Sequence, residues 1–343
     1  MTGLTYPFTA PAIGAFVTVA PGVHWIRLAL PFRLDHINVW ALEDDDGWTL
    51  VDTGIRTEET VATWKGLTSR PPFDKPLKRV VATHMHPDHV GMAGWLTRQY
   101  GVEFWISRLE YLSCRTLMSD TAREAPADAI KFFRRAGWSE DAIESYRARF
   151  GNFGRLIHAL PDSYRRIKDG DRFQLGTHEW EVVTGFGHSP EHACLYSAGS
   201  KLLISGDQIL PKISSNVSVH PMEPQANPMA DWYTSMAHIR ERVPDDVLVL
   251  PAHNDCFRGL HARITHQLEG QDTAIEALRA LLASPKRVVD TFSTLFRRPV
   301  LESDGPTLGL ATGEATACLN YLVARGEAEM EETDGVAWYR RRG

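Results

Sequence analysis

Thr83-His84-Met85-His86-Pro87-Asp88-His89 sets three histidines and one aspartate within six residues, directly after the apolar, β-branched run Arg79-Val80-Val81-Ala82. The run reads as a strand, and the cluster falls at its end. His84 and His86 lie two apart, so in an extended segment both imidazoles point to the same side. Asp88 and His89 then fall on the following turn, where Val90-Gly91-Met92-Ala93-Gly94-Trp95-Leu96 begins a helix-like pattern. Imidazole nitrogens and carboxylate oxygens are the donors that zinc-type metals take. One short segment can therefore offer a pair of ligands to one metal and a second pair to its neighbour.

The chain around this cluster is 343 residues long, enough for one large domain with a small one, or for two of ordinary size. Its 43% hydrophobic and 23% charged content is that of a globular protein with a sizeable core. A formal charge of -6 argues against a broad nucleic-acid-binding surface. No apolar run approaches the roughly 20 residues that span a bilayer. Met1-Thr2-Gly3-Leu4-Thr5-Tyr6-Pro7 lacks the basic and apolar regions of a secretory signal. Cys114, Cys194, Cys256 and Cys318 are far apart and form no CxxC pair, so a reduced, cytoplasmic setting is expected rather than a disulfide framework.

Short apolar or alternating runs at 22–28, 36–42 and 47–52 read as strands, the last two joined by a hairpin turn at Asp44-Asp45-Asp46-Gly47. Glu58 to Leu67 reads as a helix with Thr57 as its N-cap. A second strand-rich half runs from Asp171 to Leu250, with helices over Met229 to Arg242 and Leu260 to Leu282. Two similar halves of sheet and helix predict an α/β fold, a four-layer αββα sandwich. Between them, about 108–165 is helical in pattern and rich in arginines and aromatics, and such an insertion beside a site reads as a cap. After Ser284-Pro285 come helices over Lys286 to Arg297 and Thr312 to Arg325, then a hairpin turning at Asp334-Gly335. The expected division is thus 1–284 and 285–343, the second part winged-helix-like. Glu327, Glu329, Glu331, Glu332 and Asp334 on the wing oppose phosphate contacts, so packing or homodimer formation is the expected role.

Three more candidate ligands stand at the ends of apolar runs. His188 follows Trp180 to Val183, Asp207 follows Leu203-Ile204-Ser205-Gly206, and His253 follows Val247 to Ala252. With these, the chain resembles the metallo-β-lactamase superfamily over nearly all of 15–270. The ordered set His84, His86, Asp88, His89, His188, Asp207 and His253 matches that family's ligand pattern, and Leu50-Val51-Asp52-Thr53-Gly54 resembles its strand ending in Asp-x-Gly. The C-terminal unit resembles the winged-helix appendage of a branch that includes lactamase-like endoribonucleases. The resemblance implies that His84, His86 and His188 hold one metal and that Asp88, His89 and His253 hold the other. Asp207 would bridge them, and Asp52 would orient a ligand from behind.

Two divalent ions, zinc by preference with iron or manganese as alternatives, would then hold a bridging hydroxide for hydrolysis. Asp88 would also shuttle the proton. His192, close to His188, is expected to orient or support rather than to bind metal. Lys212 and Asn216, on the loop after Asp207, are candidates to hold substrate oxygens. The expected substrate is a small-molecule ester, thioester or lactone, as in the glyoxalase II and lactonase members. A metal-dependent phosphodiesterase or endoribonuclease is the alternative, because Arg134, Arg135, Arg147, Arg149, Arg155 and Arg165 stand among aromatics in the insertion. β-Lactam hydrolysis ranks lower, since exported lactamases of this fold generally lack the bridging aspartate. The remaining histidines, among them His36, read as ordinary polar residues.

Overall fold

The computed structural model of the chain describes residues 3–343. Its elements, in chain order, begin with four strands: β1 Phe16–Ala20, β2 Val23–Ala29, β3 His36–Asp44 and β4 Gly47–Val51. Then come α1 Glu58–Thr68, β5 Leu77–Val81, α2 Pro87–Val90, α3 Ala93–Tyr100, β6 Glu103–Ile106, α4 Arg108–Ser119, α5 Ala127–Arg135 and α6 Glu140–Arg149. Five strands follow, β7 Arg165–Arg166, β8 Arg172–Leu175, β9 His178–Gly185, β10 His192–Ser197 and β11 Leu202–Gly206. The rest is α7 Pro228–Arg242, β12 Leu248–Pro251, α8 Leu260–Leu281, α9 Phe292–Leu295, α10 Gly305–Ala324, β13 Ala328–Thr333 and β14 Val336–Arg341. None of the described helices is long and apolar enough to cross a membrane.

The described residues form two compact units. One comprises residues up to Thr121 together with Asn152–Ser215 and Ala237–Ile264. It is a mixed α/β sandwich with a seven-stranded sheet in the order β1-β2-β3-β4-β5-β6-β7 and a five-stranded sheet in the order β12-β11-β10-β9-β8. The expectation of an α/β fold with sheets flanked by helices is met. Trp25, Trp40, Val51, Val81 and Trp105 of the first sheet meet Trp180, Val182, Leu195, Ile204 and Leu250 of the second in one buried cluster. The opposite face of the first sheet, with Ile26, Ile37, Val39, Leu50 and Val80, packs on Trp64, Leu96, Tyr111 and Cys114 of α1, α3 and α4. A strand covered on both sides has no polar face, which is why β4 is buried along its whole length. Each fully buried aromatic or aliphatic side chain contributes about 1.5–3 kcal/mol relative to exposure.

Local chemistry sets the element ends. Thr57 caps α1 by accepting from the Thr60 N–H at 3.0 Å. The β3–β4 hairpin turns where Asp45 takes the left-handed conformation (φ 55°). Parallel pairing of β4 with β5, and of β11 with β12, brings the carboxyl ends of these strands to one edge, where open α/β sheets gather their ligands.

The second unit comprises Ala122–Gly151, Asn216–Met236 and Thr265–Gly343. The 108–165 segment is therefore divided: α4 belongs to the sandwich, whereas α5 and α6 belong with the C-terminal elements. Trp138, stacked on Phe133 with ring centroids 4.2 Å apart, donates its indole N–H to Thr312 Oγ1 at 2.8 Å. Two helix readings need correction here. The 286–297 stretch holds a short 3-10 turn at Val289–Thr291 and the four-residue α9. α10 starts at Gly305 rather than Thr312, because Asp304 caps it and a proline is tolerated in a first turn, where N–H groups lack partners anyway. The β13–β14 hairpin turns at Asp334-Gly335 as read, both with positive φ.

Candidate metal centre

Strand register delivers each functional side chain. β5 ends at Val81, and three residues later the chain presents His84 and then His86 before turning into α2, whose first turn carries Asp88 and His89. β9 ends at Gly185 and runs into the His188 loop, which returns through His192 at the start of β10, paired with Gly185. β11 ends at Gly206, followed by Asp207, and its parallel neighbour β12 ends at Pro251, followed by Ala252 and His253. The Ala252 N–H donates to the Gly206 carbonyl at 3.0 Å, and the Ala193 N–H to the Thr83 carbonyl at 2.8 Å. These ties bring the ends of both sheets together.

The seven predicted residues fall into two groups. His84, His86, His188 and Asp207 converge so that one donor atom of each lies within 4.8 Å of the others. Asp88, His89 and His253 do the same. His84 Nε2 is 2.9 Å from His86 Nδ1 and 3.3 Å from His188 Nε2. Asp207 faces both ways: Oδ2 is 3.5 Å from His188 Nε2, while Oδ1 is 3.3 Å from His253 Nε2 and 3.7 Å from His89 Nε2. Asp88 Oδ2 lies 3.4 Å from His253 Nε2.

The electrostatics of the two groups differ. Burial and the rings of His89 and His86 drive His84 well below the usual imidazole range, and burial with His188 takes His86 down to about 3. These rings keep their lone pairs free. In the other group burial acts in the same direction, but Asp207 and Asp88 outweigh it and lift His253 to about 10. His89 rises well above its usual value because Asp52, Asp88 and Asp207 overcome its burial. Conversely, burial opposes ionisation of Asp88, yet His89 and His253 hold it at about 2. Buried His89 Nε2 and Asp207 Oδ1 have no hydrogen-bond partner among the described residues. An imidazole nitrogen and a carboxylate oxygen left without partners fit divalent metal ions, which would take the place of the protons that the carboxylates hold on His89 and His253.

Residues behind the site fix ring orientation. Asp52, itself in the left-handed region (φ 61°), accepts from His89 Nδ1 at 2.8 Å, from the Thr83 N–H at 2.8 Å and from the Thr83 hydroxyl. The Thr83 hydroxyl oxygen also meets His84 Nδ1 at 3.1 Å, so Asp52 reaches both groups. His192 Nε2 accepts the Asp207 N–H at 3.1 Å, and its ring stacks on His84. Gly206 makes that approach feasible: with φ at 49°, a Cβ there would sit 2.5 Å from His192 Nε2.

The model of the metallo-beta-lactamase superfamily matches residues 33–253, which span all seven of these candidate ligands, and that of the metallo-beta-lactamase-like C-terminal domain matches 275–342. The chain belongs to the metallo-beta-lactamase superfamily. A solved beta-lactamase domain protein from Burkholderia ambifaria is 39% identical and superposes with a TM-score of 0.90, covering 99% of this chain and 98% of that one. The probable metallo-hydrolase YqjP of Bacillus subtilis is 23% identical over 75% of this chain and 79% of its own length. The hydroxyacylglutathione hydrolase GloC of Haemophilus influenzae is 22% identical over 63% of this chain and 82% of its own. This superfamily member is a metallo-hydrolase.

Of the other sequence candidates, Lys212 pairs with Asp255 at 2.6 Å and lies over the Tyr6 ring. Asn216 belongs to the second unit, where its amide donates to Glu314 Oε2 at 2.6 Å. Several residues of the superfamily member's site escaped the sequence reading. His36 is more than an ordinary polar residue: its carbonyl accepts from His253 Nδ1 at 2.8 Å, and its Nε2 accepts the Asn254 N–H at 2.9 Å. Asn38 donates to the Pro251 and Asn254 carbonyls, and Arg27 also donates to Asn254. Glu110, fully buried, takes donors from both sides of the first histidine group. No local motif marks these residues; β2–β3 pairing places Arg27 beside Asn38.

Proposed function

We propose that this metallo-hydrolase cleaves a small acyl ester, thioester or lactone, with thioesters foremost, at a site holding two divalent ions. Zinc suits its donors best, and iron or manganese accepts the same set. The observation that carries the reading is the placing of Asp207 between two donor groups, one carboxylate oxygen toward each. His84, His86 and His188 would hold one ion, Asp88, His89 and His253 the other, and Asp207 would touch both. Ions bound there supply an activated water and polarise the scissile carbonyl. Asp52, through Thr83 and His89, keeps the rings turned so that His84 Nε2 and His89 Nε2 face inward. His36 does the same for His253. Asp88, whose side chain keeps 19% of its surface exposed, is the carboxylate placed to move a proton toward a leaving group.

The thioester preference rests on the relative named as a hydroxyacylglutathione hydrolase, since a hydroxyacylglutathione is a thioester. A reduced, cytoplasmic setting is proposed with it, in keeping with four free, buried cysteines. Zinc-loaded protein should be assayed on S-acylglutathiones, acyl-coenzyme A esters, lactones and single-stranded RNA. Metal-dependent thioester cleavage with kcat/KM above about 10⁴ M⁻¹s⁻¹ is expected. RNA cleavage without turnover of any acyl substrate would replace the acyl reading with the phosphodiester one.

A further inference from the structure

Glu110 lies in the first turn of α4 with no solvent exposure. Its Oε2 accepts the Met85 N–H at 2.9 Å, and Met85 is flanked by His84 and His86. Its Oε1 accepts the Ser189 hydroxyl at 2.6 Å and the Glu191 N–H at 2.7 Å, just after His188. The tie is reciprocal: Glu191 Oε2 accepts the Leu109 N–H at 2.8 Å, and the Glu191 carbonyl accepts the Ser107 hydroxyl at 2.7 Å. One carboxylate thus joins the segment of His84 and His86, whose ring nitrogens stand 2.9 Å apart, to that of His188, whose Nε2 is 3.3 Å from His84 Nε2. Without metal, a pair of such nitrogens can share one proton, whereas a metal ion takes a lone pair from all three rings at once and needs them held at a fixed spacing. The segments need an anchor that holds them at this spacing before the cation arrives.

We propose that Glu110 is a positioning residue that sets the spacing of His84, His86 and His188, and with it the affinity of that group for its metal ion. The inference rests on the two-ion reading above. Three donors aimed at two oxygens demand an acceptor at both positions. Glutamine supplies one: its NH2 would face the Met85 N–H or, if flipped, both donors from the His188 side. Partners of this kind, one bond behind the ligands, typically set metal affinity by a factor of 10–100.

Zinc affinities of the full chain and of Glu110→Gln, measured by competition against a chromophoric chelator, test this. One of the two binding events should weaken by about 10–100-fold while the other stays unchanged. His253→Ala, which removes a ring from the other group, assigns the event: the one that survives in it should be the one Glu110→Gln weakens. The melting temperature of the metal-free protein separates an affinity effect from unfolding. Should Glu110→Gln not fold, Ser189→Ala, which deletes a single hydroxyl, is expected to weaken the same event by a smaller factor. Unchanged affinity, or equal weakening of both events, overturns the proposal. A wild-type chain that binds one ion sinks the two-ion reading alone, because the inference still stands or falls on whether that one event weakens.

Discussion

Asp207→Asn is expected to cost the chain one of the two proposed ions and to lower kcat/KM by more than about 100-fold, beyond what loss of a partner behind the candidate ligands does. The carboxylate offers one oxygen to His188 and the other to His253 and His89, on opposite sides. Asparagine keeps the shape but has one acceptor oxygen, and its NH2 would point at a metal position. The fold should survive. The backbone N–H of residue 207 still donates to His192, and its carbonyl still accepts from Ser215, neither bond needing the carboxylate. Metal content per chain together with steady-state kinetics is the check. A full metal complement with near-wild-type turnover would mean that Asp207 is an ordinary buried carboxylate.

The second large effect is on stability. Asp52→Ala should destabilise the metal-free protein by about 3–5 kcal/mol, the cost of stripping one partner from a buried charged pair. Asp52 is buried, and its removal strands the His89 Nδ1–H, the Thr83 N–H and the Thr83 hydroxyl, all equally buried. A loss of that size is a large fraction of a typical folding free energy of about 5–15 kcal/mol. Thermal unfolding without metal should show a fall on the order of 10 °C. Asp52→Asn separates two roles. Its carbonyl can still take the Thr83 N–H, but an NH2 facing His89 Nδ1 favours the tautomer with the proton on Nε2, the nitrogen that faces Asp207. The asparagine variant should therefore melt above the alanine variant yet lose zinc affinity by about 10–100-fold. An alanine variant that melts like wild type contradicts this account.

The convergence of the seven candidate residues was legible because metal chemistry admits few residue types and because they stand at the ends of apolar strands. His84 to His89 form one run, and His188, Asp207 and His253 each close a β segment. The pairing of β11 with β12 turns that shared placement into proximity. Asp52 came from the resemblance of Leu50-Val51-Asp52-Thr53-Gly54 to the family's strand ending in Asp-x-Gly. Glu110 was not legible: a glutamate in the first turn of a helix is what the helix dipole favours anywhere, so nothing distinguishes it before Ser189 and Glu191 arrive from some eighty residues away. His36 and Asn38 acquire their roles from the Asn254 turn, more than two hundred residues on. The insertion read as one cap because its aromatics are continuous in sequence. Trp138 finds its partner at Thr312, a contact that only tertiary packing creates. The helix read over Thr312 to Arg325 starts seven residues earlier, because the Asp304 cap opens it at Gly305.

Anomalous diffraction at the zinc edge from crystals of the zinc-loaded protein bears most directly on the whole account. Two peaks about 3.5–4 Å apart are predicted, one against His84, His86 and His188, the other against Asp88, His89 and His253, with Asp207 in reach of both. No peak at these residues, or zinc bound elsewhere on the chain, would contradict it.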